Sequence, residues 1–552
     1  MKDIDIIRNS KMLPIKDLAA KSGLKMSELS LYGNYMAKIS LDALKRRQAK
    51  KDGKLILVSA INPTPAGEGK STTTIGLVDA MNKLGKKCVG AIREPSMGPV
   101  FGVKGGAAGG GYAQVNPMEK LNLHFTGDFH AITTANNLVS AAIDNHIYHG
   151  NSLNIDENNI VWKRCLDLND RALRKVEVGL SSKKEANRYD YFNITAASEI
   201  MAILCLANSI QDLKNRLDNS LIAYSKDVKP LYIKDLEITG SLMVILNDAI
   251  KPNIVQTLEN NLMLVHGGPF ANIAHGCNSL FATKLGLKVS DYLITEAGFG
   301  ADLGAEKFLN IKCQEGNLKP NLVILVATIR ALKYHGGVKL GKLEDENISA
   351  LKKGVENLEK HIETIKLFNI NCVVTINKFA SDTIDEINFL RKWAKENNVK
   401  ISLSEVYEKG GTGGLELAQQ VIENVGENPY EPLYNLEDTL VEKIGKIAYN
   451  IYGATSINYD NDTYEKLQYL DKNGYRNFYI CMAKTPNSLT DDAKVLGRPK
   501  DFAINIREIR ISTGSKFIIC LTGKVMTMPG LSKKPQATVI NLDEDGNITG
   551  LM

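Results

Sequence analysis

One segment constrains the fold more than any other: Thr64, Pro65, Ala66, Gly67, Glu68, Gly69, Lys70 and Ser71, set between an apolar run and a helical pattern. Leu55–Ala60 reads as a buried strand and Thr72–Leu84 as the following helix, stopped by Gly85. A strand that turns through glycines into a helix aims backbone N–H groups and the positive helix end at one point, where an anion is stabilised. Gly67 and Gly69 let the backbone approach a ligand with no Cβ in the way. In such a loop Lys70 reaches the β- and γ-phosphates of a nucleotide and the Ser71 hydroxyl sits on Mg2+. The run from Thr64 to Thr72 is therefore a candidate nucleotide site. The GxxxxGK[ST] template begins with glycine where this chain has Thr64, so a purely structural turn competes for the bare pattern.

A loop of this kind stands on a parallel sheet, and the chain repeats the necessary grammar. Strand-like runs at Cys88–Ile92, Tyr292–Thr295, Leu322–Thr328 and Cys372–Ile376 alternate with longer helical patterns. After the last of these come a polar turn, 377–383, and a helix to about Glu396. The expected fold class is α/β: a large nucleotide-binding domain with a mostly parallel sheet, residues 1–360, then two smaller α/β domains over 361–435 and 436–552. A helix over Leu436–Tyr452 opens the last, followed by shorter strands that include Phe478–Met482 and Phe517–Thr522. The polar stretch Asn145–Asn159 reads as an insertion or loop. Gly102–Gly111 has no apolar periodicity and reads as loop, either a linker or an anion-binding nest to which Lys104 adds charge.

Composition narrows the function classes. A chain of 552 residues with 44% hydrophobic and 24% charged residues is an ordinary globular protein. A net charge of +6 suits anionic small molecules better than nucleic acid, which would need basic residues gathered on one face. The densest basic cluster, Lys45, Arg46, Arg47, Lys50, Lys51 and Lys54, reads as a solvated helix end or a docking site for an acidic ligand tail. The eight cysteines show no CxxC pair and no ligand spacing, so they read as small core hydrophobes of a reducing compartment. The N-terminus carries Asp3 and Asp5 where a signal peptide would be basic, and no apolar run approaches the roughly 18 residues of a membrane span. The expectation is a soluble cytoplasmic protein with neither nucleic acid nor membrane as partner.

Arg93 follows the Cys88–Ile92 strand, and ligands of such sheets gather at the carboxyl ends of strands. A forked guanidinium there suits a small carboxylate or a transferring phosphoryl group, unless it is spent on a surface ion pair with Glu94. Glu296 and Asp302 follow the Tyr292–Thr295 strand, where an acid can orient Mg2+ or its water.

Two longer stretches now matter. Gly102–Tyr112 and Val326–Gly337 resemble the two signatures of the formate–tetrahydrofolate ligase family. Thr64–Thr73, Arg93–Pro99, His124–Ala131, His266–Gly276, Thr295–Phe308 and Thr527–Pro535 resemble the same family in the same order, over nearly the whole chain. The resemblance makes Thr64 a family trait. It implies a large P-loop domain followed by two smaller ones, a homotetramer, and the monofunctional form of the enzyme. Its substrates would be formate, ATP with Mg2+, and tetrahydrofolate as cosubstrate, with a monovalent cation, K+ or NH4+, as activator.

The implied chemistry follows from what formate lacks. A carboxylate is a poor electrophile, so ATP converts it to formyl phosphate, which N10 of tetrahydrofolate then attacks. Phosphoryl transfer needs charge neutralisation, which Lys70 and Arg93 would supply, and exclusion of water, for which the glycine loop is a candidate wall or lid. His124 and Asp128 are candidate acceptors of the amine proton. Phe379 matches the family's pterin-stacking phenylalanine, and Tyr407 stands where better-known members place a tryptophan. His266 and His275 flank a Gly-Gly-Pro turn without the spacing of a metal motif. A dethiobiotin-synthetase-like carboxylate ligase would share Lys70 but leave both signatures unexplained. A GTP-binding switch would use Asn377 and Lys378 as part of NKxD, but Ala380 holds the fourth position.

Overall fold

Strand runs that are apolar on both faces need cover on both faces, and the protein provides it. The computed structural model describes residues 3–65, 67–102, 108–182, 184–460, 462–523 and 525–551. Ten strands follow one path through a large sheet: β1 (Leu29–Tyr32), β2 (Met36–Ile39), β3 (Lys54–Ala60), β4 (Cys88–Ile92), β5 (Asn253–Thr257), β6 (Leu262–Val265), β7 (Tyr292–Glu296), β8 (Leu322–Ala327), β9 (Cys372–Asn377) and β10 (Lys400–Ser404). In space they lie in the order β1-β2-β5-β6-β4-β7-β3-β8-β9-β10. Every pairing from β6 to β10 is parallel. The pairings among β1, β2, β5 and β6 are antiparallel. The fold is mixed α/β around a mainly parallel sheet.

Alternation along the strands sorts side chains into two cores. Leu55 and Leu57 of β3, with Val323 and Leu325 of β8, join one apolar cluster. Ile56, Val58, Ile324 and Val326 join the other. Helix α1 (Lys70–Lys83) closes the second with Ile75, Leu77, Val78 and Met81. On the opposite face, α2 (Ile329–His335) and α3 (Ile348–Lys366) bury Leu332, Leu351, Leu358 and Ile365 in the first. The last 110 or so residues carry smaller sheets, among them one in which Tyr479–Ala483 pairs parallel with Phe517–Leu521, which in turn pairs antiparallel with Glu508–Ser512. Ile480, Phe517 and Ile518 pack into the first cluster, so this region shares the core of the large sheet.

Three expectations change. The helix expected over Leu436–Tyr452 starts only at Leu440, and its last six residues, Ile447–Tyr452, wind as π-helix. Thr439 and Glu442 form a reciprocal capping box that sets this start, where the apolar pattern alone pointed to Leu436. The polar stretch Asn145–Asn159 is mostly regular: a helix, Asp128–Tyr148, runs into it and a strand, Ile155–Ile160, begins within it. Its polar residues lie at solvent-facing positions of both elements and in the turn 149–154 between them. In the glycine-rich run, Gly102 closes the helix Met97–Gly102, and Gly109–Gly110 pairs as a short strand with Ala113–Asn116. Residues 103–107, Lys104 among them, lie outside the described residues.

In the basic cluster, Lys45 ends the short helix Asp42–Lys45, while Arg47 grips buried Glu28 through both guanidinium nitrogens. All eight cysteines are free, and all but Cys372 are buried. No helix among the described residues is long and apolar enough to cross a membrane.

Candidate active site

The carboxyl ends of β4, β7, β3, β8 and β9 lie side by side, because these strands are parallel neighbours. β3 delivers the glycine loop into the middle of this row. Gly67 and Gly69 adopt φ of 84° and 73°, which L side chains rarely tolerate. A Cβ on Gly69 would also stand 2.4 Å from Asn377 Nδ2 at the end of β9. α1 begins at Lys70, so the N–H groups of its first turn face the loop. Ala66 lies outside the described residues. Pro65 is exposed, and Gly67, Gly69, Lys70, Ser71 and Thr72 are half-buried along the crevice.

Glu68 points inward and holds the loop closed. Its carboxylate accepts from the Thr64 backbone N–H at 2.7 Å and from the Thr328 hydroxyl at the end of β8. Its carbonyl accepts from Asn377 Nδ2 at 3.2 Å. Burial pushes the Glu68 carboxyl up, against those hydrogen bonds and the nearby charge of Lys70. Asn377 thus serves the loop backbone.

Ser71 and Arg93 meet through Glu296, the last residue of β7. Ser71 Oγ donates to Glu296 Oε2 at 2.7 Å. Glu296 Oε1 is buried, makes no hydrogen bond, and lies 3.9 Å from Arg93 Nη2. Arg93 Nη1 donates to the Pro269 carbonyl at 3.4 Å, and its Nε is buried without a partner. The ion-pair alternative is corrected: Arg93 faces Glu296, while Glu94 turns into the protein. Burial pushes the Glu94 carboxyl well up, and the charge of Asp128 adds to the effect.

Asp128 opens the helix Asp128–Tyr148 and is itself buried. Lys38 Nζ approaches one of its oxygens at 2.7 Å and Asn253 Nδ2 the other at 2.7 Å. Both oxygens are therefore engaged. His124, four residues earlier, is exposed. Lys38 went unread in the sequence, although a lysine inside the apolar run Met36–Ile39 is a signal that a buried acid awaits it.

The aromatic pair comes from adjacent strand ends. Phe379 follows β9, and the Arg330 guanidinium of the second signature lies over its ring at 4.4 Å. Tyr407 follows β10, is 48% exposed, and donates its hydroxyl to Asp3 Oδ1 at 3.0 Å. An ion pair of Lys378 with Glu405, at 2.7 Å, joins the two loops. Tyr407 also touches the glycine run: the Tyr112 N–H donates to its carbonyl at 2.8 Å. His266 uses both ring nitrogens, on Ser279 and the Ala249 carbonyl, each at 2.6 Å. The Thr527–Pro535 loop packs on Arg171 and Arg174, which donate to the carbonyls of Leu531 and Met528.

A phosphate-shaped loop, a hydroxyl and acid at its helix start, and an arginine a few ångströms away can bring a nucleotide and a small carboxylate together. Comparison with known families agrees. The model of the formate–tetrahydrofolate ligase family matches residues 1–552, the full length of the sequence. The chain belongs to the formate–tetrahydrofolate ligase family, and its reaction is the ATP-dependent joining of formate to tetrahydrofolate to give 10-formyltetrahydrofolate.

Proposed function

We propose that the loop at Thr64–Thr72 is where this ligase holds ATP and that formate lies between it and Arg93. The observation that carries this is the chain Ser71–Glu296–Arg93, which spans the distance from the loop to the next strand end through one carboxylate. In this reading the N–H groups of Gly67, Gly69 and the first turn of α1 take the β- and γ-phosphates, and Lys70 neutralises the transferring phosphoryl group. Arg93 presents its fork to the formate carboxylate, then to the phosphate of the mixed anhydride.

Mg2+ fits the donor set here. Ser71 and Glu296 offer hard oxygen ligands, one Glu296 oxygen is buried and makes no hydrogen bond, and Mg2+ takes its remaining ligands from water and phosphate. Bound there, it would neutralise charge on the β- and γ-phosphate oxygens.

A formate oxygen attacks the γ-phosphorus as the bond to the ADP oxygen breaks. N10 of tetrahydrofolate then attacks the formyl carbon, the carbon–oxygen bond to phosphate breaks, and N10 loses a proton. His124, exposed on the turn before Asp128, would pass that proton to water. Asp128, with both oxygens engaged, acts by holding Glu94 and the turn in place. Phe379, backed by Arg330, and Tyr407 form the platform for the pterin. The proposed division of labour is nucleotide and formate on 1–360, the folate platform on 361–435, and a supporting C-terminal domain over 436–552. Activation by K+ or NH4+, a homotetrameric assembly and a cytoplasmic location belong to the same reading on family grounds.

The test is substrate dependence. ADP release should require formate, formyltetrahydrofolate should appear only with tetrahydrofolate present, and Lys70→Ala should abolish both with the fold intact. ATP hydrolysis independent of formate, or a fully active Lys70→Ala protein, would remove this reading.

A further inference from the structure

Asn62 is the second residue beyond β3 and the second before Thr64, so it sets where the nucleotide loop begins. It is completely buried, and every polar atom of its side chain is used. Its Nδ2 donates to Asp302 Oδ1 at 3.1 Å and to the Pro486 carbonyl at 3.1 Å. Its Oδ1 accepts from Asn357 Nδ2 at 3.0 Å. His335, from the second signature, meets the Asn62 carbonyl through Nε2 at 2.9 Å. Because His335 Nδ1 accepts from the Gly497 N–H at 3.1 Å, the ring must carry its proton on Nε2 and donate to Asn62.

Behind this residue stands a buried ion pair. Lys484 Nζ lies 2.7 Å from Asp302 Oδ2, and neither side chain has any exposed surface. Lys484 also donates to the carbonyls of Thr485 and Ser488, and its ammonium group lies 5.0 Å from the centre of the Tyr452 ring. Asn357 holds the Gly497 carbonyl at 2.8 Å. Residues 484–488 and 497 of the C-terminal region therefore converge on the start of the loop, although the proposed chemistry gives that region no contact with any substrate.

A buried ion pair is a poor way to gain stability, since apolar residues of similar volume would serve as well; fixing a register is the best-attested use of one. Here the register is that of a loop whose displacement by about 1 Å can cost on the order of 100-fold in rate. We propose that Lys484, Asp302 and Asn62 form a relay through which the C-terminal region positions the nucleotide loop, making all three positioning residues for phosphoryl transfer. The relay rests on the assignment of that loop to ATP.

The experiment uses the full chain and varies each substrate in turn. Asn62→Ala and Lys484→Met should each raise KM for ATP by about tenfold or more and lower kcat, with KM for formate and tetrahydrofolate within about twofold of wild type. The double variant Asp302→Asn/Lys484→Met leaves no buried charge unpaired, so it should melt close to wild type while its KM for ATP stays raised by about tenfold. If Lys484→Met fails to fold, Asn62→Ala and the double variant decide. The relay is overturned if folded Asn62→Ala keeps its ATP KM, or if all three KM values shift together with the melting temperature. It is also overturned if the double variant, lacking the ion pair, binds ATP as wild type does. An active Lys70→Ala protein would instead remove the loop from ATP binding; an inactive one beside an indifferent Asn62→Ala would overturn the relay alone.

Discussion

Arg93 shows how much one residue's neighbours decide. Its guanidinium touches Pro269 and Glu296, has a buried Nε without a partner, and keeps part of its surface open to the crevice. A lysine there keeps the charge and loses the fork. Arg93→Lys should therefore lower kcat/KM for formate by roughly 100-fold with KM for ATP little changed, as initial rates at varied formate will report. Asp79 of α1 makes a second prediction. Burial pushes its carboxyl up to about 7, against hydrogen bonds from Thr257 and Asn261. Between its ordinary value of 3.8 and about 7, the folded protein holds a proton that the unfolded chain has released. Stability from this group is thus present at low pH and lost as pH rises through that window. Asp79→Asn cannot ionise, so its stability relative to wild type should grow between about pH 4 and 7, by at most roughly 4 kcal/mol. Melting curves across that range measure it, and parallel curves would refute the sign.

Among elements, α2 and α3 are joined backbone to backbone. A Cβ on Gly354 would lie 1.8 Å from the Leu332 carbonyl oxygen, and one on Gly336 would lie 1.9 Å from that of Ala350. The contact matters beyond stability because α2 carries Arg330 over Phe379 and His335 on Asn62. Gly354→Ala should force the helices apart at a cost of about 1–3 kcal/mol and raise KM for tetrahydrofolate as Arg330 shifts. A thermal melt and one folate titration check this; an unchanged melt would mean the pair yields without strain. Gly354 also shows why such a contact is hard to read in advance: within a helical pattern a glycine looks like a weak position, and only the facing carbonyl explains it.

For the whole molecule, the prediction concerns assembly. If the chain is a homotetramer, sedimentation equilibrium should give four times its 60.6 kDa, and a monomer mass would overturn the proposal. The large sheet was legible to different depths along its length. β3, β4, β7, β8 and β9 announced themselves because both faces are covered, which demands unbroken apolar runs. β1 and β10 are the edge strands of this path, and β2, β5 and β6 form its antiparallel part, some with polar residues such as Lys38, Asn253 and Gln256; their pairing is decided by residues far away.

The order of residues alone determined the strand–glycine loop–helix unit, because a strand, two glycines, Lys70, Ser71 and a helix are local in the chain and their geometry follows from backbone stereochemistry. It also put Arg93 at the end of a strand, and it determined the family through two long signatures. Only the tertiary structure decided what those residues touch. Glu296 joins Ser71 to Arg93, Lys38 and Asn253 occupy Asp128, and Glu68 turns inward to Thr328. Lys484 reaches Asp302 across 182 positions of sequence. Buried charges choose partners by distance in space and by the need to be compensated where water is absent, and neither is written in neighbouring residues.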